Sequence, residues 1–246
     1  MKRSRNERPR GGEVTRLYGF HAVAAALNAP RRRLVRLYAT SAAAERLAAE
    51  IARRGVEMRV VTADEIAARL PRDAVHQGLL LEAEPLQPLD VSELPAKGLV
   101  VVLDQVTDPH NVGAILRSCA AFAVDAVMTT ERHSPEFSGA LAKAASGGLE
   151  HVAISTVTNL ARALEELGDL GYWRVGLDSA APEILGAAPL SRPLALVLGA
   201  EDHGLRRLTR EKCDALARLD LPGAIKSLNV SNACAIALAL ANRAIN

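Results

Sequence analysis

The chain has 246 residues, of which 49% are hydrophobic and 24% charged, and this composition excludes wholesale disorder and collagen-like or mucin-like chains. Aromatics are only 3%, so the core must be aliphatic and generic base-stacking platforms are disfavoured. The net charge of +2 hides an asymmetry: residues 1–36 carry ten Lys/Arg against Glu7 and Glu13, a surplus of +8, which leaves −6 for the rest. A basic front on an acidic body points to a polyanion, nucleic acid first, against the plainer reading of a solubilising tail.

Cys119, Cys213 and Cys234 are odd in number and far apart, which fits neither a disulfide framework nor a CxxC zinc site. A reducing, cytoplasmic setting follows. The first residues, MKRSRNERPRGGE, lack the apolar stretch of a secretory signal, and Glu7, Pro9 and Gly11-Gly12 oppose an amphipathic presequence. The longest apolar run, Ala233 to Ala241, is far short of a membrane span.

In chain order, residues 1–15 read as a disordered basic tail. Residues 16–84 read as a small α/β domain. It has a helix from Phe20 to Leu27, a strand from Leu34 to Ala39, and a helix over 42–54 that Ser41 caps and Gly55 stops. A strand over 56–61, a helix from Thr62 that Pro71 ends, and a strand over 78–83 complete it. Pro85, Pro88 and Pro95 make 85–98 a linker. A second domain, 99–246, opens on the continuous apolar run Leu99–Leu103, typical of a strand buried on both faces. Further strands are expected at 126–129, 152–156, 173–177 and 194–198. Helices are expected at 112–122, 137–146, 160–167 and 229–244, with Gly147-Gly148 stopping the second. This alternation predicts a mostly parallel sheet with ligands outside the carboxyl ends of its strands.

Three loops at such ends have unusual composition. In the first, 104–117, Asp108-Pro109 turns the chain and Asn111 is placed to cap the next helix. Gly113 allows a close backbone approach, and Arg117 follows; alone, this also fits a capped helix with a surface arginine. In the second, 198–205, Gly199 and Gly204 bracket Glu201, Asp202 and His203. Gly199 would let a ligand lie on backbone and Glu201 would accept its hydrogen bonds, or the acids are simply solvated. In the third, 219–232, Ser227, Asn229, Ser231 and Asn232 exceed what one helix cap needs, which suggests a polar ligand.

Taken together, the segments resemble the motifs of the SpoU/TrmH-type ribose 2′-O-methyltransferases of the SPOUT superfamily. N-x-G-x-x-x-R stands as Asn111, Gly113 and Arg117; G-x-E-x-x-G as Gly199, Glu201 and Gly204; S-L-N-V-S as Ser227 to Ser231. The front is similar to the family's L7Ae-like domain, through Gly19 to Val23 and His76-Gln77-Gly78. DPHNVGAILRS, LTREKCDAL and SLNVSNA resemble the bacterial 23S rRNA (guanosine-2′-O)-methyltransferase branch most.

The resemblance implies an L7Ae-like α/β domain followed by an α/β-knot methyltransferase domain with a deep trefoil knot. It implies S-adenosyl-L-methionine as methyl donor, a homodimer, 23S rRNA as partner, and neither metal nor membrane. Carried over by position, Gly199, Leu219 and Leu228 would hold the donor. Asn111, Arg117, Glu201, Ser227 and Asn229 would form the catalytic neighbourhood, with Arg117 as base or as stabiliser of the alkoxide. Arg31, Arg32 and Arg33 would then contact RNA phosphates. The chain departs from the family's I-P-M-x-G at Leu219 to Gly223, and Ala123 stands where Gly is common. A tRNA guanosine 2′-O-methyltransferase and a catalytically silent RNA-binding or ribosome-assembly protein on this fold are the competing readings.

Overall fold

A computed structural model describes residues 14–187 and 190–245. Most of the expected tail therefore lies outside the described residues, and its last part is already structured, since β1 begins at Thr15 (Thr15–Tyr18). The N-terminal domain continues through α1 (Phe20–Asn28), β2 (Leu34–Ala39), α2 (Ser41–Arg46), α3 (Ala48–Arg54), β3 (Met58–Val60), α4 (Ala63–Ala67) and β4 (Leu79–Ala83). Its four strands lie in the order β1-β4-β2-β3, with only β2 and β3 parallel.

The expected helix over 42–54 is two helices. The backbone leaves helical geometry at Leu47 (φ −117°, ψ 18°), whose side chain is buried in the core. Ser41 is the first helical residue and not the cap; Thr40 holds the cap position, without a side-chain bond. Gly55 ends α3 in the left-handed conformation. Thr62 and Glu65 form a reciprocal capping box at the start of α4.

The linker is not a loose tether. Leu89 N–H donates to Ile154 O at 2.7 Å, and Val91 and Leu94 are buried under the second domain's sheet.

The second domain comprises β5 (Leu99–Asp104), α5 (Pro109–Ala121), β6 (Ala126–Thr130), α6 (Gly139–Ala144), β7 (Ala153–Val157), α7 (Leu160–Asp169), β8 (Trp173–Leu177), β9 (Leu194–Gly199), α8 (Arg207–Glu211), β10 (Ala215–Ala217) and α9 (Val230–Ile245). Six strands lie in the order β10-β8-β9-β5-β6-β7, every adjacent pair parallel. Successive residues of β5 face opposite sides. Leu99, Val101 and Leu103 join the core beneath α5 and α9, and Val100 and Val102 join the core beneath α7. The first of these cores runs on into the N-terminal domain through Leu17, Leu27, Leu37 and Leu81. The two short elements α8 and β10 were not anticipated, being too brief to show a period.

Ala123 lies at φ 51°, in the left-handed region where glycine is unstrained. That accounts for the glycine preference of the family at this position.

Gly113 bears on the packing of α5. A Cβ there would stand 2.5 Å from Ala144 Cβ and 2.6 Å from Leu141 O, so α5 and α6 touch backbone to backbone. Alanine normally favours a helix over glycine by about 1 kcal/mol. Here overpacking costs roughly 1–3 kcal/mol and reverses the sign. Gly113→Ala is therefore expected to lower the urea midpoint, and a raised midpoint would contradict this packing.

Candidate active site

The carboxyl ends of β5 and β9, neighbours at the centre of the sheet, bring the first two motif loops together. The third comes from farther away. Residues 218–229 leave β10 at the sheet edge and return toward the centre, where α9 begins. All three meet at one carboxylate. Asn111 Nδ2 donates to Glu201 Oε1 at 2.8 Å, Asn229 Nδ2 to the same oxygen at 2.6 Å, and Val230 N–H to it at 3.3 Å. Asn229 Nδ2 also donates to Asn111 Oδ1 at 2.9 Å, which closes the ring. On the far side, Asn229 Oδ1 accepts from Ser231 N–H at 3.0 Å and Ser231 Oγ at 2.6 Å.

Asn111 is not the cap of α5. Asp108 caps it by accepting from His110 N–H at 3.0 Å, with Pro109 as the first helical residue. Asn111 sits one turn inside, free to turn its amide toward Glu201. Asn229 does act as a cap, holding Ser231 N–H at the start of α9.

Gly199 is required for a different reason from the one expected. The position its Cβ would take is filled by the Gly204–Leu205 backbone, and Gly204 N–H donates to Ala200 O at 2.9 Å. The loop folds onto itself there and leaves no room for a ligand on that side of the backbone. Asp104, fully buried at the end of β5, fastens the other end of the same loop. It accepts from Arg206 N–H at 2.9 Å and Arg206 Nε at 2.6 Å. Sequence reasoning gave Asp104 no role. The available signal was a carboxylate closing an otherwise apolar, doubly buried strand.

The remaining site residues stand apart. Arg117 and Ser227 are exposed, and their side chains make no hydrogen bond or ion pair among the described residues. Arg117 lies six residues along α5 from Asn111, roughly 600° and about 9 Å on a helix, so one chain does not bring it into the cluster. Leu219 is half-buried against the core, and Leu228 is 38% exposed beside Asn229. Behind the cluster, Cys119 on α5 and Cys234 on α9 are both buried. Contact with Cys234, together with burial, pushes the Cys119 thiol well above its ordinary range, so it is not a nucleophile.

The basic triplet divides. Arg31 and Arg33 are exposed, but Arg32 is 3% exposed and is bound by Glu150, so it is withdrawn from any phosphate. The triplet leaves a turn closed by Arg32 N–H donating to Ala29 O at 3.2 Å, and the middle arginine points inward. Among the described residues, no group of three or more His, Cys, Asp and Glu side chains is placed to hold a metal ion, and no helix is long and apolar enough to cross a membrane.

The fold is similar to that of an RNA 2′-O ribose methyltransferase, with a TM-score of 0.77 at 21% identity over 93% of this chain and 87% of that one. Residues 16–89 match the RNA 2′-O ribose methyltransferase substrate binding domain. Residues 98–239 match the SpoU rRNA Methylase family, and the chain belongs to that family. It is 40% identical over 230 residues to the 23S rRNA (guanosine-2′-O-)-methyltransferase RlmB of Ralstonia nicotianae, covering 90% of this chain and 92% of that protein. In fold it is similar to an AdoMet-bound rRNA methyltransferase from Sinorhizobium meliloti, with a TM-score of 0.80 at 24% identity over 94% of this chain and 87% of that one. A TrmH/SpoU tRNA modifying enzyme of A. aeolicus aligns over only 62% of this chain and 78% of its own, with a TM-score of 0.54 at 28% identity.

The Glu201 cluster is exposed, so its members regain water when it is broken. Glu201→Ala is expected to cost less than about 1 kcal/mol in global stability, because exposed donors are not left dry. It should nevertheless loosen the start of α9, read as faster amide hydrogen exchange at Val230. Unchanged exchange there would mean that the carboxylate does not organise the loops.

Proposed function

We propose that the protein methylates the ribose 2′-hydroxyl of a guanosine in 23S rRNA, using S-adenosyl-L-methionine, in the cytoplasm and as a homodimer. The observation that carries this reading is the convergence of Asn111, Glu201 and Asn229, one from each motif segment, on a single hydrogen-bonded ring. The N-terminal domain favours rRNA over tRNA, since the tRNA modifying enzyme aligns over little more than the second domain's share of the chain.

The residues present fit the donor. The returning loop leaves Leu228 and Ile225 uncovered, at 38% and 76% exposure, beside polar groups held in place by Glu201. Apolar walls with a few fixed polar groups suit a nucleoside. Leu219, Leu228 and the backbone at Gly199 would hold it there. When bound, S-adenosyl-L-methionine supplies a methyl group on a sulfonium to the ribose 2′-oxygen.

The chain's task is alignment, exclusion of water and stabilisation of charge. Asn111, Asn229 and Glu201 keep the loops in register. Ser227, exposed at the loop mouth, orients substrate. A guanidinium offers five donors and no acceptor, so Arg117 acts on the developing alkoxide and the adjacent phosphate as a cation, not as a base. Its separation from the Glu201 cluster within one chain favours a homodimer, in which a second copy completes the site. Arg31 and Arg33 remain exposed to phosphates, with Arg33 Nη1 lying 3.8 Å from Glu84 on the surface.

Purified protein with labelled S-adenosyl-L-methionine should label 2′-O-methylguanosine in unmodified 23S rRNA and not in tRNA. Label in tRNA alone would overturn the substrate assignment. Arg117→Ala should lower the rate by about 100-fold or more, the usual cost of removing one oxyanion donor. Arg117→Lys should also lose most activity, because a planar fork is replaced by a point charge. Near-wild-type methylation by Arg117→Ala would remove Arg117 from the mechanism, whereas by Arg117→Lys it would remove only the need for a planar fork.

A further inference from the structure

The turn after α6 looked in the sequence like a simple helix stop, yet it touches both domains. Gly147 lies at φ 94°, and a Cβ there would stand 2.7 Å from Ala25 Cβ on α1 of the N-terminal domain. Gly148 meets the catalytic domain instead. A Cβ there would stand 2.7 Å from Leu116 O and 3.1 Å from the Cα of Arg117. Two residues on, Glu150 holds Arg32 of the N-terminal domain. Arg32 Nε lies 3.0 Å from both carboxylate oxygens, and Nη2 lies 2.6 Å from Oε1. The remaining nitrogen, Nη1, donates to Glu84 O at 3.2 Å. The two side chains are 1% and 3% exposed.

Apolar residues of similar size usually join two surfaces at least as firmly as a buried ion pair. What a bidentate arginine–carboxylate pair adds is fixed geometry. That geometry leads to one place. Arg32 fixes Glu150, Glu150 belongs to the turn of Gly148, and Gly148 rests on the backbone at Arg117. No side chain stands between Gly148 and α5, so a shift of the turn passes to the helix backbone and is not absorbed by a rotamer change.

We propose that the Gly147–Glu150 turn is a positioning element that sets Arg117 according to the placement of the N-terminal domain, with Arg32 as its handle. The proposal rests on the methyltransferase reading above and adds a route by which RNA seated on one domain orders the other. Glu150 and Arg32 are positioning residues, since their bonds go to each other and to Glu84 and none reaches the Asn111–Glu201–Asn229 ring.

The test uses the full chain, Glu150→Gln and Arg32→Lys, each well below its melting temperature. The second variant keeps the charge but loses the fork, so it is the one to read where Glu150→Gln fails to fold. With a 23S rRNA fragment in excess, both variants should keep donor and RNA affinity within about twofold. Both should lose at least about tenfold in single-turnover methylation, because a displacement of about 1 Å at a reacting group can cost ~100-fold. In wild type, adding the fragment should slow amide exchange over residues 113–118, and in the variants it should not. That exchange reading needs no methyl transfer, so it stands even where the activity assignment fails. A variant that folds and keeps its full rate would overturn the proposal. So would a loss confined to RNA affinity, or a wild-type α5 indifferent to RNA.

Discussion

Glu201 Oε1 receives hydrogen bonds from Asn111, Asn229 and the backbone of Val230, and three stretches of chain far apart in sequence meet at that atom. The loops after β5 and β9 are neighbours by strand order and would lie close in any case. The third loop would not. It leaves the sheet edge at β10, and the Asn229 and Val230 contacts, with the packing of α9 into the core, bring its end to the centre. A carboxylate suits this role because an ionised oxygen accepts several donors and binds each more strongly than a neutral acceptor would. Asn229 suits it because one amide offers two donors on one side and an acceptor on the other, which ties the cluster to Ser231 and the start of α9.

Around that cluster the chain is held by backbone contact. Gly113 lets α5 lie on α6, Gly148 lets the following turn lie on α5, and Gly199 lets the second loop close on itself. In each case a side chain would act as a spacer, and a spacer with rotamers is compliant. A site that must align two reacting centres gains from having none. Asp104 serves the same end by other means, with a fully buried carboxylate holding Arg206 through both backbone and side chain.

Much of this was legible from residue order. The strands at 34–39 and 173–177 carry clear apolar patterning and form over those residues. Asn111, Glu201 and Asn229 were readable as a group through the resemblance of their three loops to the family motifs; only the third loop carries more polar residues than its helix cap requires. What was not legible depends on tertiary contacts. Leu47 interrupts a good helical period because its side chain is needed in the core. Asp108, not Asn111, caps α5, and composition cannot choose between two candidates three residues apart. Gly199 was marked as a place where a ligand could lie against backbone; one side of it is filled by the chain's own Gly204, a contact that residue order does not show.

The arginines show the limit most plainly. Arg32 lies in a basic triplet and Arg117 alone in an apolar helix, and the sequence treats both as candidates for anionic RNA. Burial separates them. A guanidinium held by Glu150 and the Glu84 carbonyl has its charge already neutralised and all three nitrogens engaged. Elsewhere the chain pairs Arg36, Arg174 and Arg206 with carboxylates in the same way, yet it leaves Arg117 exposed and without a partner among the described residues. A free cation on a rigid helix face costs little in water and retains its full donor set for an incoming anion. The same physics that withdraws Arg32 from RNA therefore strengthens the case for Arg117. It also ties the two together, because the acid that neutralises the first sits two residues from the glycine on which the second rests.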